Sequence, residues 1–137
     1  MIKYILSFSM LILILSNGCE KTDSQLSIDT NDKSSFTGSF KSIDSDNLTG
    51  TISLSISNGY YECSTNLPYG IGAGELEVDE TTIDFIDTLF FAIPAIYGPS
   101  YVLSGKHNYQ FDGENLEIWK KKNVGEIKYE LKLTNTN

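Results

Sequence analysis

Between Glu126 and Leu133 the chain alternates without a break: Ile127, Tyr129, Leu131 and Leu133 are apolar, while Glu126, Lys128, Glu130 and Lys132 carry charges of alternating sign. A period of two is the spacing of side chains on one face of an extended strand. Only a strand can bury the first set and leave the second in water. The same pattern recurs upstream. Phe36, Gly38 and Phe40 alternate with polar residues, and Ile52, Leu54 and Ile56 alternate with Thr51, Ser53 and Ser55. Tyr61 with Cys63, Leu76 with Val78, Ile83 with Phe85, and Leu116 with Ile118 supply shorter stretches of it. One long strand is expected to carry Tyr101, Leu103, Gly105, His107, Tyr109 and Phe111 on a single face, with Gly105 marking a bend or bulge.

Turn chemistry separates these segments. Asn58-Gly59 fits a two-residue hairpin turn whose central positions need positive φ, and Asp112-Gly113 reads as a second hairpin. A polar corner, Asp79 to Thr81, joins two more strands. No long 3.6-residue period appears behind the first few residues, so the fold class is all-β. About eight strands joined by short turns form an antiparallel up-and-down meander. Such a meander folds over as a sandwich or closes into a barrel, and closure removes the exposed edges. A small barrel is therefore expected, filled mainly by its own aromatic side chains rather than hollow, because short strands enclose little volume.

The first residues follow different rules. A single positive charge at Lys3 precedes an apolar run of about eleven residues, Ile5 to Leu15, and then Ser16, Asn17, Gly18 and Cys19. A spanning helix needs about twenty apolar residues, so this run is too short to remain as one. With Leu15 and Gly18 before Cys19, the segment resembles the bacterial lipoprotein signal peptide. That resemblance implies a leader over residues 1–18, cleavage after Gly18, a diacylglyceryl group on the Cys19 sulfur, and attachment to the cell envelope by a covalent lipid anchor. Glu20 in place of Asp favours the outer membrane under the Asp retention rule. Residues 19–35, rich in Ser, Asp, Thr, Lys and Asn with isolated Leu26 and Ile28, read as a flexible tether, and residues 36–137 as one β-barrel domain. A sixteen-residue coil would reach roughly 20 to 25 Å.

The sequence holds ten Lys and no Arg against eighteen Asp plus Glu, and without Lys3 the balance is about −9. Nucleic acid is not an expected partner for such an acidic surface. If Cys19 carries lipid, Cys63 has no intramolecular partner and reads as a small buried hydrophobe. No Cys or His spacing suggests a metal, and no cofactor is expected. Asp44, Asp46 and Asn47 form an oxygen-rich turn that lacks calcium-loop spacing and reads as a solvated hairpin.

The domain also resembles a miniature lipocalin, with Gly38-Ser39-Phe40 standing where that family has Gly-x-Trp, which implies a carrier of a small hydrophobic ligand. The residues themselves direct attention to an unusual apolar stretch, Leu89 to Pro99, containing Phe90, Phe91 and Tyr97. It reads as a cap over one barrel end, or as a lid or contact patch, with Tyr69 at the same rim. His107, the single histidine, is expected inward among aromatic rings, more as a hydrogen-bonded core residue than as a base, since no Gly-x-Ser-x-Gly elbow accompanies it. Trp119 is expected on the outer face, partly exposed, and Lys120, Lys121 and Lys122 as a solvated turn. The leading expectation is a non-enzymatic binding module presented to a protein partner. A lipocalin-like carrier is the alternative, and an enzyme using His107 stands third.

Overall fold

Each alternating strand buries one face, and its backbone groups need a neighbour on both edges. In the computed structural model, which describes residues 25–43, 47–88, 103–122 and 125–136, that demand is met by closure. The strands are β1 (Ser34–Ile43), β2 (Thr49–Ser57), β3 (Tyr60–Thr65), β4 (Ile71–Val78), β5 (Thr82–Asp87), β6 (Gly105–Phe111), β7 (Asn115–Lys121) and β8 (Glu126–Thr136). They follow one another in order around a closed barrel, every neighbour antiparallel. Closure is made where β8 meets β1, from Ser34 opposite Thr136 to Ile43 opposite Glu126. One bulge interrupts this seam: Thr134 is the extra residue on β8, and its hydroxyl donates to the Ser35 carbonyl at 2.9 Å.

Alternation sends the apolar set inward. Phe36, Phe40, Tyr61, Phe85, Tyr109 and Tyr129 are almost wholly buried together with Ile52, Leu54, Ile56, Ile83, Leu116 and Ile118. The rings touch in series: Tyr61 meets Phe85 edge-on with centroids 4.9 Å apart, Phe85 meets His107 at 5.6 Å, His107 meets Tyr129 at 6.1 Å, and Tyr129 meets Phe40 at 5.9 Å. Tyr61 on β3 reaches Phe85 on β5 across β4, where its own cross-strand neighbour is Gly74, and at Gly50 the Phe40 ring occupies the space a side chain would need. Among the described residues the interior thus carries the large aromatic side chains that alternation assigns to it.

The turns at one end are those the sequence indicates. Asn58 and Gly59 take φ of 52° and 74°, as a type I′ turn requires. The next hairpin is centred on Gly113 and Glu114 rather than on Asp112-Gly113. Asp112 instead brackets it, its amide donating to the Asn115 carbonyl at 3.2 Å and its carboxylate accepting from the Glu114 and Asn115 amides. Gly105 takes φ of 72° and starts β6, so the expected long strand is shorter. Tyr101 lies outside the described residues, and Leu103, though buried, precedes the strand.

The expectation of a free tether as far as Ser35 is corrected. Ser34 and Ser35 belong to β1, and residues 25–33 lie across the barrel end that carries the β2–β3, β4–β5 and β6–β7 turns. Ile28 is only 5% exposed and joins the core. The Leu26 amide donates to the Phe111 carbonyl at 2.8 Å, the Gly59 amide donates to the Thr30 carbonyl at 2.9 Å, and Gln25 Nε2 donates to the Glu80 carbonyl at 2.6 Å. An open barrel end exposes ring edges and turn carbonyls. The strap covers both, and burying Ile28 alone contributes about 2 kcal/mol.

Candidate functional site

Strand direction sorts the connections between two ends. The strap end holds the tight turns just described. The opposite end, here the upper rim, receives the β1–β2, β3–β4, β5–β6 and β7–β8 connections. Tyr69 sits there, in a β3–β4 loop tied down at every step. The Thr65 amide donates to the Gly70 carbonyl at 2.6 Å, the Gly70 amide to the Leu67 carbonyl at 3.0 Å, and the Thr51 amide to Asn66 Oδ1 at 2.9 Å. Within that frame Tyr69 adopts φ of 59° and is 50% exposed. Positive φ on an aromatic residue is strained, and the loop's hydrogen bonds hold it.

Two further apolar residues stand on the same rim. Ile43, at the end of β1, is 51% exposed, and Ile71, at the start of β4, is 45% exposed. Neither is among the residues expected at a site, yet the sequence carries a signal for both: each falls on the solvent-facing parity of its strand, where an apolar side chain has no packing reason. Lys41 lies two residues from Ile43 on the same face, and Lys121 lies across β8 from it, with Glu126 between them.

Beneath the rim lie the barrel's titratable groups. His107 is 4% exposed, and its Nδ1–H donates to the Gly105 carbonyl at 2.8 Å. Burial pushes its pKa down to about 4. The Gly105 carbonyl opposes this shift, and the Lys120 ammonium adds to it. Cys63 is a free, buried thiol pushed up to about 11, mainly by burial. The Tyr61 hydroxyl donates toward the Leu103 carbonyl at 3.3 Å and lies beside the Asp87 carboxylate; burial and that charge both raise its pKa. Tyr129 is raised as well, by burial first. At neutral pH the histidine, thiol and both phenols are therefore uncharged. Among the described residues, no group of three His, Cys, Asp or Glu side chains converges on a metal-sized site.

His107 thus lies inward among rings, as parity implies, and Trp119 lies on the outer face, half-buried between its cross-strand neighbours Asn108 and Lys128. Lys120 is no turn residue. It is half-buried near the upper rim, and its Nζ donates to the Ser104 carbonyl at 3.3 Å. Cys19, Phe90, Phe91 and Tyr97 lie outside the described residues, as do Asp44 and Asp46. The hollows seen among the described residues open on the outer surface. One of about 430 Å³ is lined by Lys33, Ser55, Ser57, Tyr60, Tyr61 and Glu62. No protein-family model, no curated protein and no solved structure matches the chain.

Proposed function

We propose that the chain is an envelope lipoprotein, cleaved after Gly18 and held in the outer membrane by lipid on Cys19, whose barrel is a non-enzymatic binding module for a protein partner. The anchor rests on the charged start, the short apolar run and the Gly18-Cys19 junction. The binding role rests chiefly on one observation: Tyr69 and Ile71 stand exposed two residues apart at the upper rim, with Ile43 exposed three strands away on the same rim, above an interior that carries large aromatic side chains. Isolated surface apolar residues are ordinary, but three on one rim suit a contact surface. Lys41 and Lys121 flank Ile43 with Glu126 between them, a locally net positive edge that suits an apolar surface with an acidic flank. Support for a non-enzymatic role comes from His107, whose Nδ1–H is committed to Gly105 and whose ring is wedged between Phe85 and Tyr129.

A photo-crosslinking residue placed at Tyr69 or Ile71 in the lipidated protein, in cells, tests this reading, with Glu80 at the strap end as control. A discrete adduct is expected from the rim positions, absent from Glu80 and lost on combining Ile43→Asp with Ile71→Asp. No rim adduct from a folded protein would refute the reading. A native mass of the domain carrying a small hydrophobic molecule would favour the lipocalin-like carrier instead.

A further inference from the structure

The docked strap fixes more than the closed end of the barrel. We infer that the strap end faces the bilayer and the rim bearing Ile43, Tyr69 and Ile71 is presented away from it, an orientation that rests on the proposed lipidation of Cys19.

Chain length sets which end stays near the anchor. A tether running to Ser35 would let the domain tumble freely, but the chain is already fixed at Gln25, whose Nε2 donates to the Glu80 and Tyr109 carbonyls at 2.6 and 3.2 Å. Leu26 and Ile28 continue the attachment, through the bond to Phe111 and burial in the core. Only residues 20–24 separate Cys19 from this point. Six Cα steps span about 22 Å when fully extended and roughly 13 Å as a flexible coil. Strands of this length, tilted as barrel strands are, make the barrel roughly 20 Å tall. A leash that matches the barrel's height only when fully extended, and is shorter as a coil, keeps the attached end nearest the anchor.

Charge holds the same end just clear of the lipid. The strap and its three turns carry Asp29, Asp32, Asp79, Glu80, Asp112 and Glu114 against Lys33, with Lys132 of β8 paired to Glu114 at 2.8 Å, so the face stays net acidic. Anionic headgroups repel such a face within a Debye length of about 8 Å, which the leash can span. Lys120, Lys121 and Lys122 lie at the opposite end, where they reach headgroups only if the barrel lies on its side.

The test uses the full-length protein purified with its lipid and reconstituted in vesicles of mixed zwitterionic and anionic phospholipid. A fluorophore is attached in a Cys63→Ala background at Glu80→Cys or Glu114→Cys on the strap end, and at Ile43→Cys or Ile71→Cys on the rim. Energy transfer to a headgroup acceptor should be at least twofold greater from the strap end. Inserting ten Gly/Ser residues between Asp23 and Ser24 should shrink that difference. Equal transfer from both ends, stronger transfer from the rim, or a difference unchanged by the longer leash would overturn the orientation and leave lipidation standing. An intact mass with unmodified Cys19 would overturn both.

Discussion

Replacing His107 with Gln removes the barrel's single imidazole, and its effect on stability should depend steeply on pH. In the folded protein the ring takes up a proton only near pH 4, against 6.5 for an ordinary imidazole, chiefly because burial penalises the charged form. Between those values the unfolded chain binds more protons than the folded one. Stability therefore rises with pH across that window and falls as pH drops from 6.5 toward 4. The gap corresponds to about 3 kcal/mol at 1.36 kcal/mol per pH unit, and below about pH 4 this group costs nothing further. At pH 7 His107→Gln should be less stable than the parent by about 1 to 3 kcal/mol, through the lost bond to Gly105 and the lost edge contacts to Phe85 and Tyr129. By pH 4 the parent has lost its advantage, and the two curves should meet or cross. Urea unfolding of the chain from Thr22 onward at pH 7, 6, 5 and 4, followed by Trp119 fluorescence, measures both curves. A difference that stays constant within about 0.5 kcal/mol over that range would refute the account of a buried, neutral imidazole.

Gly38→Ala should weaken the β1–β8 seam, because a Cβ at Gly38 would collide with the Glu130 carbonyl and crowd the Leu131 Cα; a loss of about 1 to 3 kcal/mol or more is expected in thermal or urea melts. Cys63 should resist thiol reagents at pH 8 in the native protein, since it is buried and its thiol is pushed up to about 11. Its labelling rate should rise only under conditions that unfold the barrel, and rapid native labelling would contradict its placement.

Much of the fold is legible in the sequence because one face of every strand is buried. Where the inward positions are apolar, as in Ile52-Leu54-Ile56 or Ile127-Tyr129-Leu131, alternation locates both the strand and its inward face. The signal fades where glycine takes the inward position. In β4, Gly72 and Gly74 stand where apolar residues would otherwise mark the pattern, so only Leu76 and Val78 announced a strand that begins at Ile71. Gly74 is a consequence of a neighbour, since a Cβ there would collide with the Ile86 carbonyl on β5, and no local pattern reports how closely a neighbouring strand approaches. The strap was hidden for a related reason. Leu26 and Ile28 have no periodicity of their own, and their burial comes from an end of the barrel assembled by turns tens of residues away. His107 and Trp119 followed parity, whereas Lys120 was misread because a charged residue at an inward parity near a strand end looks like part of the turn.

The same packing bears on the two proposed modes of binding. A carrier needs an interior void, and here that space holds a continuous series of rings, Tyr61, Phe85, His107, Tyr129 and Phe40, contributed by β3, β5, β6, β8 and β1. Making room for even a small ligand would displace two or three of them. Emptying a large aromatic site costs about 3 to 5 kcal/mol each, while the whole stability of a domain this size is about 5 to 15 kcal/mol. A ligand would have to return nearly all of that on binding before showing any net affinity. The outer surface carries no such cost, because the Tyr69 loop is already fixed by its own hydrogen bonds and Ile43 and Ile71 are already exposed. Recognition by a rigid rim loses little entropy on association, and that difference in cost is the physical ground for the proposed external partner over an internal ligand.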